Sequence, residues 1–217
     1  MSNLSYTKEF FLLAVNGKGG IPLLKETGIY ACLLAGGLIE LIGAGMVSKD
    51  EKGRLVVTKE FDETFMYLFP LYERIASAKK SPKATALLFE SKQLKELITA
   101  VRDTLIAKDF KDELTNQGLF KNKTKYISKP EVVREIIEKI NGQFFGDEPL
   151  DKKTVCLVAM LEASGLTRDY FGKIDAKLLK EQLKELENSD AGILANELIE
   201  HTTAMFATLA AVTVAVT

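Results

Sequence analysis

The 217 residues suit a single hydrophobic core, and 47% hydrophobic against 27% charged side chains gives that core a well-solvated surface and excludes intrinsic disorder. The 29 lysines and arginines nearly cancel 30 aspartates and glutamates, so no global field draws the chain to nucleic acid or an anionic membrane; attraction must be local. Two cysteines, Cys32 and Cys156, each in an apolar helix-like run, exclude a disulfide scaffold and read as reduced core residues of a cytoplasmic protein.

The N-terminus, MSNLSYTKEF, lacks the basic region and long apolar stretch of a secretory signal, so no export is predicted. Tyr6–Val15 places Phe10, Phe11, Leu13 and Ala14 at helical spacing, and Asn16-Gly17-Lys18-Gly19-Gly20 then stops the helix. A helix from about Leu23 to Ile42 is apolar nearly all round and must be buried on most sides. Gly36 and Gly37 each lower its propensity by ~1 kcal/mol, which predicts close helix–helix approach.

Gly43-Ala44-Gly45 ends that helix, and Met46–Ser48 and Arg54–Thr58 flank Asp50-Glu51-Lys52-Gly53 as a short β-hairpin. Helical period returns over Asp62–Ala78, with a kink or break predicted at Pro70. After the Lys79–Lys83 connection come helices at about Ala84–Phe89 and Lys92–Phe110. Asn116-Gln117-Gly118 then closes a turn. Leu119–Ser128 (LFKNKTKYIS) reads as a second hairpin about Asn122-Lys123, and Pro130 opens a helix through Ile140. Further helices follow at Leu150–Ala163, Ala176–Leu186 and Ile193–Val214. The most apolar stretch, Ala204–Val216, falls short of the about 20 residues a membrane-spanning helix needs and is read as a buried helix. No repeat or linker interrupts the chain. The expectation is therefore one domain, residues 1–217: mainly α, a globular multi-helix fold with buried central helices and short β-hairpins.

Chemistry is sparse. One histidine, His201, and two isolated cysteines cannot build a catalytic triad or a structural zinc site, so no catalytic residue, metal or cofactor is predicted. The cluster Gly17-Lys18-Gly19-Gly20 lacks the spacing and the terminal Lys-Ser/Thr of a phosphate loop, and Gly43-Ala44-Gly45 ends a helix where a dinucleotide fingerprint would open one. Glu26, Glu40 and Glu162 lie near apolar runs where burial shifts a carboxyl pKa, but the sequence does not pair them in space.

The helix Tyr30–Ile42 followed by MVSKDEKGRLVVT has the layout of a winged helix. A groove-reading helix needs basic or amide side chains, however, and this one carries Glu40 and no basic residue, so nucleic acid is not an expected partner. Two local basic clusters remain, Lys79, Lys80 and Lys83, and Lys121, Lys123 and Lys125 extended by Lys129. Alternation along a strand places the second trio on one face, where each lysine contributes ~1 kcal/mol near an anionic membrane. The same trio also reads as a solvated edge that discourages strand addition.

The order FFLLAV, CLLAGGLIELIGAGMV, RLVVT, SAKKSPK, LTNQGLF and AMFATLAAVTVAV resembles the Golgi phosphoprotein 3 family of peripheral membrane proteins, in its bacterial form without a long basic extension. The resemblance spans nearly the whole chain. It implies a mainly helical domain that binds phosphatidylinositol 4-phosphate and, in eukaryotes, retains glycosyltransferases by their cytoplasmic tails. The family's pocket tryptophan falls near Lys25 and its helix arginine near Leu34; two further arginines fall at Ala107 and Asp109, with Arg102 close by as a substitute. Its membrane-entering hairpin is apolar, whereas FKNKTKYI is basic. Lys25, Arg102, Lys121, Lys123 and Lys125 thus form the candidate lipid- or anion-binding set. The expected function is a non-enzymatic adaptor on the cytosolic face of an anionic membrane, bound to a phosphoinositide and to a protein tail. The alternatives are a homo-oligomerising interaction module without lipid binding and a nucleic-acid-binding regulator.

Overall fold

The computed structural model describes residues 4–15, 19–87, 90–117 and 121–186 and the isolated positions 193, 196 and 200; at 91, 107–108, 111–117 and 121–125 it describes the backbone alone. It is mainly α. Helix α1 (Tyr6–Ala14) starts where the Ser5 hydroxyl accepts the Lys8 N–H, and eight of its nine residues are buried. A 3-10 turn (Leu23–Lys25) leads into α2 (Glu26–Gly43), where Ala31–Leu41 is buried without interruption. Its apolar surface all round is therefore matched by neighbours all round. By length and composition Leu23–Gly43 would reach across a bilayer, but most of it lies inside the fold.

Those neighbours are α1, antiparallel to α2, and α8 (Lys152–Ser164), itself buried from Thr154 to Leu161. Tyr6 donates its hydroxyl to the Gly36 carbonyl at 3.2 Å, fixing the N-terminal end of α1 beside the C-terminal half of α2. A Cβ on Gly36 would stand 2.8 Å from Met160 Cε and 3.0 Å from Thr7 Oγ1, and one on Gly37 2.9 Å from Leu68 Cδ2. The two glycines mark the close approach expected of them. Cys32 and Cys156 are free and buried in this same packing, with the Cys32 thiol 3.5 Å from the Met160 carbonyl.

The first hairpin pairs β1 (Val47–Lys49) with β2 (Leu55–Val57) antiparallel, Ser48 opposite Val56. Asp50 closes its turn by accepting N–H bonds from Lys52 and Arg54. The α2 segment that precedes this hairpin is buried from Ala31 to Leu41. Pro70 acts as predicted: a 3-10 segment (Glu63–Leu68) gives way to α3 (Phe69–Ala76) with the proline in its first turn. Short α4 (Ala84–Leu87) and α5 (Ser91–Asp103) follow. On the other flank lie α7 (Pro130–Phe144) and α9 (Thr167–Glu185), the latter broken at Gly172, whose φ of 69° only glycine adopts easily.

Several boundaries differ from expectation. The helix predicted through Phe110 stops at Asp103; one turn, α6 (Ile106–Asp109), intervenes, and Phe110 begins a strand. The second hairpin pairs β3 (Phe110–Gln117) with β4 (Lys121–Ser128), so Asn116 and Gln117 are strand residues, and Asn122 and Lys123, expected at the turn, lie within β4. Local spacing favoured a helix because Leu105 and Ile106 prolong the period of α5. Pairing with β4, a contact invisible to local spacing, makes Phe110–Gln117 extended. The last predicted helix, with His201 and Ala204–Val216, falls outside the described residues apart from the isolated positions.

Candidate functional site: the hairpin pole

The C-terminal end of α1 gathers three other elements. Ser128, the last residue of β4, donates its hydroxyl to the Leu12 carbonyl at 2.7 Å, and Tyr170 in α9 donates to the Leu13 carbonyl. These carbonyls lack partners within the helix. The same two bonds therefore cap α1 and root the hairpin and α9 on it. Phe110, at the start of β3, meets Phe11 edge-on at 6.1 Å and Tyr126 at 6.4 Å. Because α2 runs antiparallel to α1, its leading turn, Leu23–Lys25, reaches the same pole.

The strand register sorts the hairpin into two faces. Phe110, Tyr126 and Ser128 occupy one face and pack at the root, with Phe110 and Ser128 buried. Positions 111, 121, 123 and 125 share the other, four lysines with Glu113 as the one carboxylate among them. Lys121, Lys123 and Lys125 thus stand at alternate positions of β4, opposite Gln117, Thr115 and Glu113. Arg102, at the end of α5, has its guanidinium 5.2 Å from the Tyr126 ring and 2.8 Å from Asp103 Oδ1. It therefore joins the hairpin root, as a cation partly matched by its neighbouring carboxylate.

Lys25 sits elsewhere on the pole. Its ammonium donates to the Gly165 carbonyl at 2.8 Å and to Asp169 Oδ2 at 2.6 Å, latching the 3-10 turn to the α8–α9 corner. It touches neither Arg102 nor Tyr126 in these bonds. Leu34 is buried, lining a small cavity with Leu71, Arg74 and Leu97, and Asp109 is buried as well. The turn that Lys25 latches exposes two apolar residues, Leu23 at 82% and Leu24 at 100%.

Two further clusters were not assembled from the sequence. At the opposite end of α1, Glu40 accepts a hydrogen bond from the Tyr67 hydroxyl and another from the Thr7 N–H at 3.1 Å. Burial pushes the Glu40 carboxyl above its ordinary value, and the bonds from Tyr67 and Thr7 only partly offset this. Lys8 lies over the Tyr67 ring at 4.1 Å, and burial lowers its pKa against the opposing pull of Glu40 and Asp109. A cavity of about 380 Å³ opens there, bordered by Glu40, Tyr67, Lys8 and Lys153. A glutamate inside an otherwise apolar helix was the available signal, but its phenol lies 27 residues away. Glu26 and Glu162 are accounted for more simply: Tyr30 bonds to Glu26 at 2.5 Å, and Thr167 and Lys180 meet Glu162 at 3.2 and 3.1 Å.

The second cluster is a groove of about 640 Å³ with Leu4, Val132 and Ile136 among its lining and Glu9, Glu135, Glu138, Glu148 and Asp151 around it. Lys139 is its one lysine and is bonded to Glu9 at 2.6 Å. Among the described residues no group of three His, Cys, Asp or Glu is arranged to hold a metal ion.

No curated protein gives a significant match to the chain. The sequence pattern of the Golgi phosphoprotein 3 (GPP34) family, however, matches residues 7–205, which takes in α1, the buried α2, both hairpins and α7 to α9. A match over that span, nearly the whole chain, shows that the chain belongs to the Golgi phosphoprotein 3 family.

Proposed function

We propose that this protein is a non-enzymatic peripheral membrane adaptor that docks on anionic lipid headgroups through the lysine face of its second hairpin. The observation that carries the reading is the β3–β4 register, which puts lysines 111, 121, 123 and 125 on the face opposite the buried root. Lysine at four positions of one ribbon face, against the single Glu113, suits a plane of negative charge. At ~1 kcal/mol per lysine near such a surface, the β4 trio alone contributes about 3 kcal/mol, a factor of roughly 100 in partitioning. Family membership supports the phosphoinositide headgroup as ligand, with Arg102 as a further cation at the same pole and Lys25 adding to the local field while it stays paired with Asp169. The location that follows is cytoplasmic, on the cytosolic face of a membrane.

Flotation with phosphatidylcholine vesicles, alone or carrying phosphatidylserine or phosphatidylinositol 4-phosphate, tests this. The wild type should float with the anionic vesicles only, and K121E/K123E/K125E should not float. Equal flotation of the two chains refutes the assignment. Preference for the phosphoinositide over phosphatidylserine at equal charge would establish headgroup selectivity.

A second reading, in which the adaptor grips a basic polypeptide tail, is favoured by the acid-rimmed groove beside α7. Its apolar lining and five carboxylates complement a segment of alternating apolar and basic residues. Fluorescence anisotropy of a labelled Leu/Arg peptide should show binding that E135K/E138K removes, and an unchanged curve sinks that reading.

A further inference from the structure

Leu23 and Leu24 stand out on the surface formed by the described residues. They are the two most exposed large apolar side chains among the described residues, although Gly28 and Ile29, less than two turns later, are buried. Isolated exposed leucines are ordinary, but two consecutive ones on a fixed tip are not a random surface. The tip is held through Lys25. Lys25 N–H returns to the Pro22 carbonyl at 2.9 Å to close the 3-10 turn, and the Lys25 ammonium clamps that turn to Gly165 and Asp169.

Its position is equally defined. Asp169 precedes Tyr170, whose hydroxyl caps the Leu13 carbonyl next to the Leu12 carbonyl held by Ser128. A short bonded path therefore runs from the leucine tip through α9 and the end of α1 to the root of the lysine-faced hairpin. We propose that Leu23 and Leu24 form a wedge that enters the outer layer of a lipid bilayer once the hairpin lysines have drawn the protein to an anionic surface. This rests on the peripheral-membrane reading above and adds to it the element that resists removal by salt.

The neighbourhood of the tip argues for lipid, because it is bonded through Asp169, Tyr170 and the end of α1 to the root of the hairpin whose β4 strand has lysine at alternate positions. A convex pair of leucines needs either a matching apolar socket or a medium that closes around it. The apolar-lined groove beside α7 is the competing socket, in a second copy of this chain; a wild type that is dimeric without vesicles, and monomeric as L23S/L24S, would assign the tip to self-association and overturn the wedge. The interfacial layer of a bilayer yields to the tip and buries it. Wedge and lysines then divide the work, since screening weakens the ionic part within a Debye length of ~8 Å and leaves the apolar part intact.

The experiment uses the full chain with Leu24→Cys carrying an environment-sensitive fluorophore and, as a control, Glu51→Cys on the first hairpin at the far end of α2. On adding phosphatidylcholine/phosphatidylserine vesicles the label at 24 should shift to the blue and become quenchable by spin-labelled lipid, while the label at 51 should not. L23S/L24S should partition roughly 10- to 100-fold more weakly than wild type, with a remainder more sensitive to salt. Because both leucines are exposed, its melting temperature should match wild type. Vesicle-bound protein whose label at 24 stays in water, or L23S/L24S floating like wild type, overturns the wedge and leaves the lysine reading standing. Failure of the wild type to float at all overturns both.

Discussion

Replacing Glu40 by glutamine should change how stability depends on pH more than it changes stability at low pH. Burial raises the Glu40 carboxyl above the ordinary value of 4.5, so across the interval between the two values the native state keeps a proton that the unfolded chain has released. The contribution of Glu40 is therefore fully present below pH 4.5 and is lost as pH rises through its folded pKa. Over that window wild-type stability should fall, from this group, by about 1.4 kcal/mol per pH unit. Glutamine stays neutral throughout, retains an oxygen for the Thr7 N–H and offers its amide to the Tyr67 oxygen. Glu9, whose carboxyl burial also raises, is present in both chains and cancels in the difference. Urea unfolding of wild type and E40Q in steps between about pH 4 and pH 7 should give curves that converge in acid and separate above it, E40Q losing less. Parallel curves would refute the buried-acid account. E40A supplies the contrast: with the Tyr67 hydroxyl and Thr7 N–H both orphaned, it should lose about 2–5 kcal/mol across that range.

Gly36→Val should lower stability by about 1–3 kcal/mol in a denaturation curve, because its Cβ would stand 2.8 Å from Met160 Cε and 3.0 Å from Thr7 Oγ1, forcing both neighbours to shift. K139A should cost about 1–3 kcal/mol by leaving Glu9, a nearly buried carboxylate, without its ammonium, and E9Q/K139A should recover part of the loss in a double-mutant cycle. Ser128→Ala should destabilise by about 1 kcal/mol and speed proteolytic cleavage in the hairpin, since it removes the bond tying β4 to α1. K25M should change the melting point little, as expected of a partly exposed ion pair, yet raise the mobility of a label at position 24.

The interior was readable because burial leaves a one-dimensional trace. An unbroken apolar run predicted that α2 would be enclosed, and two glycines inside it predicted contact at van der Waals limits, met at Met160 and Leu68. Residues whose partners are remote left no such trace. The resemblance puts Lys25 in the candidate anion-binding set, and nothing local announces Asp169, 144 residues away, as its partner in the fold. Phe110–Gln117 carries no strong alternation, and its strand state depends on β4. The lysine alternation of β4, by contrast, was visible in the sequence, because strand geometry converts spacing of two into sidedness without help from any distant residue. Leu23 and Leu24 were absorbed into the start of a buried helix; only the fold distinguishes a leucine that begins a core from one that projects beyond it.

The two thiols at the α2–α8 seam give the fold an internal clock. Burial pushes the Cys156 thiol up to about 12 and leaves Cys32 with no exposed surface, so a small alkylating reagent reacts only when that seam parts. The alkylation rate of the unmodified protein therefore counts openings of its central helices. Measured with and without vesicles, it distinguishes a rigid body that lands intact from one that loosens on arrival.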